Sequence, residues 1–173
     1  MGAQDQGADA TEGRWLTIPR TLCFVTSGDD VLMLKRAADR RVYPNRYNGV
    51  GGHIERHEDP LTGAVREIRE ETGLEVRDVL FCGASHIDAG QATGILLMIF
   101  RAEARSREFI NSTEGTLLWV PQKEVLSLNL VEDLPAILPR VLAMSPGDPP
   151  FFAHLSYTEA DEIRLTFADE GHA

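Results

Sequence analysis

The chain has 173 residues, 43% hydrophobic and 25% charged, which is enough apolar material for one core and one domain. Its formal net charge of −10, with no basic run able to track a phosphate backbone, argues against long nucleic acid as a partner. No apolar stretch is long enough to span a bilayer, and Met1 to Gly13 is polar and acidic, so the expectation is a cytoplasmic protein without membrane contact, a disordered tail over 1–13 and a single domain over 14–173.

Taken in chain order, Trp15 to Thr26 is rich in β-formers, and Ser27-Gly28-Asp29-Asp30 turns into Val31-Leu32-Met33-Leu34, which predicts a hairpin. Cys23 lies in this first strand and Cys82 in a later one, both in apolar surroundings that fit buried thiols in a reducing compartment rather than a disulfide. Lys35, Arg36 and the loop Ala37 to Arg46 are basic enough to face an anion. Asn48 to Glu55 carries Gly49, Gly51 and Gly52, a pattern for backbone that must approach something closely. A helix is predicted next, capped by Asp59, opened by Pro60 and stopped by Gly73.

Leu74 to His86 and Thr93 to Ala104 read as strands, the second with an unbroken apolar run from Ile95 to Phe100, as in a strand buried on both faces. Leu117 to Pro121 is another short strand. Leu130 to Met144 is a second predicted helix, with Leu134, Ile137, Leu138 and Val141 at helical spacing. After a turn at Ser145 to Pro150, Phe151 to Tyr157 and Ile163 to Phe167 form a predicted closing hairpin. This order points to an α+β fold, a mixed sheet with helices on its faces.

The helix from Asp59 to Thr72 is where the chemistry concentrates. Leu61, Ala64, Val65 and Ile68 form an apolar stripe, while Glu67, Glu70 and Glu71 fall at i, i+3 and i+4 on another side. Like charges at that spacing repel, and a cation between them reverses the sign of the interaction. Hard cations such as Mg²⁺, which take oxygen ligands and keep water, suit such a cluster and would screen an anionic substrate from an acidic protein. The bland alternative is a solvated helix face with Arg66 and Arg69 as partners. His53, His57, His86, His154 and His172 show no metal-ligand spacing, and no Walker, zinc or G-x-S-x-G pattern occurs.

Gly52, five residues, Glu58, seven residues and then Arg66-Glu67-Ile68-Arg69-Glu70-Glu71-Thr72-Gly73-Leu74 match every fixed position of the signature of the Nudix hydrolases. The resemblance implies an α/β/α sandwich around a mixed β-sheet and hydrolysis of a phosphoanhydride in a nucleotide-like substrate. It implies binding of Mg²⁺ or Mn²⁺ by Glu67, Glu70 and Glu71, with Gly52 and Glu58 contributing, and an orienting role for Arg66. Glu114, in Ser112-Thr113-Glu114-Gly115, is a further candidate to accept the proton from the attacking water.

Outside the box, Leu34-Lys35-Arg36, Tyr47-Asn48-Gly49-Val50-Gly51-Gly52-His53, and Glu114 followed by Trp119 resemble the MutT-like branch, especially its oxidised-purine nucleoside triphosphatases. The resemblance implies a substrate site built from Lys35, Arg36, Asn48, Gly51, Gly52, Glu132 and Asp133, with Asn48 at the base edge; a turn-capping amide is the other reading of Asn48. Val131 stands where the human-type enzymes of that branch carry a stacking tryptophan, a departure that bears on oxidised-guanine preference. A Nudix enzyme for a nucleotide sugar or a dinucleotide would share the box, whereas a non-catalytic nucleotide sensor would be expected to lack one or more of its glutamates. The expected partner is a small nucleotide, bound by a monomer or homodimer.

Overall fold

The computed structural model describes residues 2–110 and 114–170. Eight strands, β1 (Leu16–Ser27), β2 (Asp30–Arg36), β3 (Tyr47–Asn48), β4 (Val76–Ile87), β5 (Thr93–Ala104), β6 (Gly115–Pro121), β7 (Phe151–Tyr157) and β8 (Ile163–Phe167), build one sheet, with helices α1 (Pro60–Thr72) and α2 (Leu134–Ala143). The order is β3-β2-β1-β5-β4-β7-β8, with β6 on the other edge of β2. Parallel pairs β1–β5 and β4–β7 sit among antiparallel ones, so the sheet is mixed, as expected. A one-turn 3-10 helix at Ala3–Gln6 precedes the domain, and residues 7–14 are exposed.

The first hairpin is shorter than the sequence suggests. β1 and β2 pair only at Thr26–Val31 and Ser27–Asp30, and then separate. Further along, Tyr47–Asn48 takes the edge of β2 that β1 has left, pairing with Leu34 and Lys35. Val50 and His53 then bridge back to β1 at Cys23 and Arg20. The glycine segment therefore fills a fork between two diverging strands. β1 spends its length instead on an eleven-residue register with β5, from Leu16–Thr93 to Thr26–Glu103.

Alternation along the strands sorts side chains into two cores. Cys23, Val25, Leu32, Leu34, Phe100 and Ala102 meet Ala64 and Ile68 of α1 on one face. Leu22, Phe24, Met33, Ile99 and Ala153 meet Leu134, Ile137, Leu138 and Val141 of α2 on the other. The strand β5 is fully buried only at Gly94, Ile99, Phe100, Ala102 and Ala104, so the expected doubly buried run holds at its C-terminal half rather than throughout. Helix α2 starts four residues later than predicted. Leu130 and Val131 are extended because they dock on β3, where Val131 N–H donates to the Tyr47 carbonyl at 3.0 Å.

Helix α1 has the predicted ends. Asp59 Oδ1 accepts from Leu61 and Thr62 N–H at 2.9 and 3.0 Å, and Gly73 stops the helix in the left-handed region at φ 71°. Its packed ridge is corrected, however: Gly63, Ala64, Ile68 and Thr72 are buried, while Leu61 is 48% exposed. Leu61 shares an azimuth with Ile68 but lies in the first turn, where nothing covers it. Both cysteines are free and buried, and burial pushes their thiols up to about 12 for Cys23 and about 11 for Cys82.

Candidate active site

The site forms where the glycine segment is squeezed between β1 and α1. Thr21 N–H donates to the Gly52 carbonyl at 2.8 Å, and Gly52 N–H donates to Thr21 Oγ1 at 3.3 Å. Gly51 has φ +145°, and a Cβ there would lie 2.3 Å from the Thr21 carbonyl oxygen. A Cβ on Gly52 would lie 2.5 Å from Glu67 Oε1. Only glycine lets this backbone pass between a strand and a carboxylate. The close approach expected from the sequence is therefore seen, and its object includes Glu67.

The box carboxylates do not all converge on one point. Arg66 gathers Glu58, Glu67 and Glu70: its Nε and Nη2 donate to Glu58 at 3.0 and 2.7 Å, and its Nη1 donates to Glu67 and Glu70 at 2.9 Å each. Nη2 also reaches the His53 carbonyl at 3.0 Å, tying α1 to the glycine segment. Glu58, 9% exposed, additionally accepts from Glu55 N–H at 2.8 Å, and these bonds hold its carboxyl below the ordinary range. Glu70 remains 60% exposed.

Glu71 faces the other way. Its Oε2 accepts from Gly51 N–H at 3.2 Å. Burial raises its pKa to about 7, against the pull of the Gly51 bond, with the charges of Glu114 and Glu67 adding to the rise. Glu114 thus stands near Glu71 although it comes from the start of β6, and it is ion-paired to Arg40 at 3.3 Å and Arg36 at 3.7 Å. Ser112 and Thr113, ahead of it, lie outside the described residues.

The remaining predicted residues gather around the fork with other partners. Lys35 places its Nζ 5.9 Å from the centre of the Tyr47 ring. Asn48 Oδ1 accepts from Gly49 N–H at 2.9 Å, the geometry of a turn-capping amide, which leaves its NH₂ as the group able to meet a substrate. Glu132 pairs with Arg46 at 3.2 Å. Asp133 is 8% exposed, and burial followed by the Glu132 charge raises its pKa, despite bonds from backbone N–H groups. Reasoning from sequence missed Tyr43 and Tyr157, whose hydroxyls meet at 3.2 Å across 114 residues of chain. No local pattern marks such a pair.

Among the described residues, no three histidine, cysteine, aspartate or glutamate side chains stand in a ready metal-binding arrangement. The donor set nevertheless fits a hard divalent cation: it is all oxygen, and its buried member, Glu71, is hard to ionise without added positive charge.

The Nudix domain profile matches residues 16–141. The chain belongs to the Nudix family. It is 30% identical over 118 residues to the NAD-capped RNA hydrolase NudC of Pseudomonas aeruginosa, covering 68% of this chain and 39% of that protein. It is 34% identical over 70 residues to the human m7GpppN-mRNA hydrolase NUDT17, covering 40% of this chain and 21% of that one. The chain thus spans well under half the length of these relatives. Among solved structures, the mutator MutT protein of Bacillus halodurans matches with a TM-score of 0.74 and 28% identity, over 88% of this chain and 98% of that one. The MutT protein of Methanosarcina mazei Go1, at 19% identity and a TM-score of 0.62 over 73% of this chain and 94% of its own, shares the fold. The sandwich around a mixed sheet is the architecture expected of this family.

Proposed function

We propose that this Nudix chain is a divalent-metal-dependent pyrophosphohydrolase of a nucleoside triphosphate-type substrate, releasing a nucleoside monophosphate and pyrophosphate, with oxidised purines such as 8-oxo-dGTP among the candidates. One observation carries the reading: the intact box folds so that Gly51 and Gly52 are pressed against Glu71 and Glu67, which places carboxylates of contrasting environment around one strip of backbone.

In this reading Glu67, Glu70 and Glu71, supported by Glu58 and the second lone pair of the Gly52 carbonyl, hold Mg²⁺ or Mn²⁺. The cation, when bound, neutralises phosphate oxygens and acidifies water. Arg66 keeps Glu58, Glu67 and Glu70 in a fixed fan, so reorganisation on loading is small. Glu114, which stands beside Glu71, or a box glutamate oxygen not engaged by the cation takes the proton from the attacking water. Arg36 and Lys35 neutralise the distal phosphates, and Asn48, Glu132 and Asp133 stand on the side of the fork that receives the base.

A second reading, a dinucleotide or cap-like pyrophosphate as substrate, draws support from the likeness to NudC and NUDT17. It would reopen long nucleic acid as a partner. A non-catalytic sensor finds no support in a box that retains each of its glutamates. Among the described residues no helix is long and apolar enough to cross a membrane. The test is a panel of nucleoside triphosphates, NAD, a nucleotide sugar and capped RNA with Mg²⁺, read by phosphate release and product mass. Turnover of a triphosphate to monophosphate is the expected result; turnover of capped RNA or NAD alone would select the second reading.

A further inference from the structure

Two buried side-chain polar atoms have no hydrogen-bond partner among the described residues, Arg20 Nε and Ser85 Oγ. They are not scattered. Arg20 on β1 is the cross-strand partner of Leu97 on β5, and Leu97 is the partner of Ser85 on β4, which in turn pairs with Ala153 on β7. Paired residues share a face of a sheet. Leu97 and Ala153 belong to the α2-side core, so Arg20 and Ser85 flank Leu97 on that face.

The C-terminal end of helix α2 lies at Arg101, four positions along β5 from Leu97, where Nη1 donates to the Val141 and Leu142 carbonyls at 2.9 and 3.0 Å. The row of Arg20, Leu97 and Ser85 lies towards the end where Tyr157 projects from β7, two alternations beyond Ala153. Tyr43 reaches from the β2–β3 loop to meet the Tyr157 hydroxyl there, and it feels the charges of Asp133 and Glu132. Arg20 itself bridges to His53, the residue after Gly52. The strand position that carries Arg20 therefore adjoins the glycine segment on which the proposed diphosphate would lie.

We infer that Arg20 and Ser85 are specificity-determining residues that read a carbonyl oxygen on a purine-type ring carried by the substrate. The inference rests on the pyrophosphohydrolase reading of the same site. A guanidinium N–H only donates and a hydroxyl also donates, so their common partner is an acceptor. A buried serine without a partner costs stability and calls for a use elsewhere. On this proposal the Tyr43–Tyr157 contact must part to admit the ring, because Ser85 is fully buried.

The probes are inosine triphosphate and purine riboside triphosphate, which differ in the ring carbonyl and the N1–H that accompanies it. With Mg²⁺, Ser85→Ala and Arg20→Lys, which keeps the charge but lacks Nε, should each lower kcat/KM for inosine triphosphate by about tenfold or more. The same variants should leave the carbonyl-free analogue within about twofold. Ser85→Ala should also melt at or above the wild-type temperature, because it removes an unpartnered hydroxyl without opening a cavity. Equal losses on both probes, or no loss on either, would overturn the assignment. Wild-type turnover of NAD but of neither probe would overturn the ring assignment and leave the hydrolase reading intact. Inertness toward all three would sink the hydrolase reading itself.

Discussion

The proposed metal side of the site and its proposed substrate side are built in opposite ways. Glu58, Arg66, Glu67, Glu70 and Glu71 come from one short stretch of chain, and three of the four carboxylates are already paired with Arg66. Arg20, Tyr43, Ser85, Asp133 and Tyr157 come from five separate segments, and they leave polar atoms unpaired or titrating abnormally. A local cluster held by its own hydrogen bonds tolerates changes elsewhere in the fold. An assembled one depends on the register of every strand beneath it, which suits the part proposed to choose among substrates.

The sharpest way to break the comparison is to remove the cation. Turnover should fall to background in excess chelator and return with Mg²⁺ or Mn²⁺, and Glu70→Gln and Glu71→Gln should each lower kcat by on the order of 10²-fold or more with the fold intact. Full activity in chelator, or near wild-type activity in both purified variants, would remove the metal-side assignment.

Next in size is Arg66→Gln. It strands Glu58 and Glu67, both mostly buried as side chains, so the melting temperature should drop by several degrees together with activity. Arg69→Gln, which breaks only an exposed pair with Glu75, should change neither. Equal thermal shifts in the two variants would mean that Arg66 is an ordinary surface arginine.

Asn48 sits at the seam between the halves. Asn48→Asp keeps an oxygen for Gly49 N–H and removes the NH₂, so a base-reading role predicts a loss of about 1–3 kcal/mol in transition-state binding, confined to the preferred base. Comparing kcat/KM for an oxidised purine triphosphate, its normal counterpart and a pyrimidine triphosphate decides it. If Asn48→Asp is neutral while Asn48→Ala harms all three equally, the amide only caps the turn.

The smallest effect is one of pH on the cation-free protein. The folded-state pKa of Glu71, about 7, lies above the ordinary 4.5, so its contribution to stability is complete below about 4.5 and is lost as pH rises through about 7. Glu71→Gln should match wild type in acid and exceed it by on the order of 2 kcal/mol above neutrality, allowing for partial exposure. Thermal melts from pH 4 to 8 in chelator measure this; a gap that does not widen with pH would show that Glu71 ionises freely.

Helix α1, which carries the proposed metal ligands, was largely legible because its information is local. Caps at Asp59 and Gly73 and the spacing of Glu67, Glu70 and Glu71 depend on helix geometry alone, and the strand bounds of β5, β7 and β8 followed from their apolar runs. Leu61 was misplaced because periodicity fixes azimuth and says nothing about which turn is covered. The fork was invisible for a different reason: nothing in Trp15 to Leu34 reveals that β1 leaves β2 after two pairs for a partner made much later. Without that register Arg20 and Ser85 cannot be placed on one face, and Tyr43 has no reason to meet Tyr157.

That late partner also sets the order in which the molecule can assemble during synthesis. Thr26 and Glu103, which bond across the β1–β5 pair, are 77 residues apart, and the whole box lies between them. Helix α1, with its own caps, can form as soon as it is made. The inner edge of β1 has no strand to meet until residues 93–104 have emerged, and through that interval Leu22, Cys23, Phe24 and Val25 present an open, apolar edge to any other nascent chain. Slow translation across residues 28–92 therefore lengthens the time in which this chain is most prone to aggregate, well before its chemistry exists.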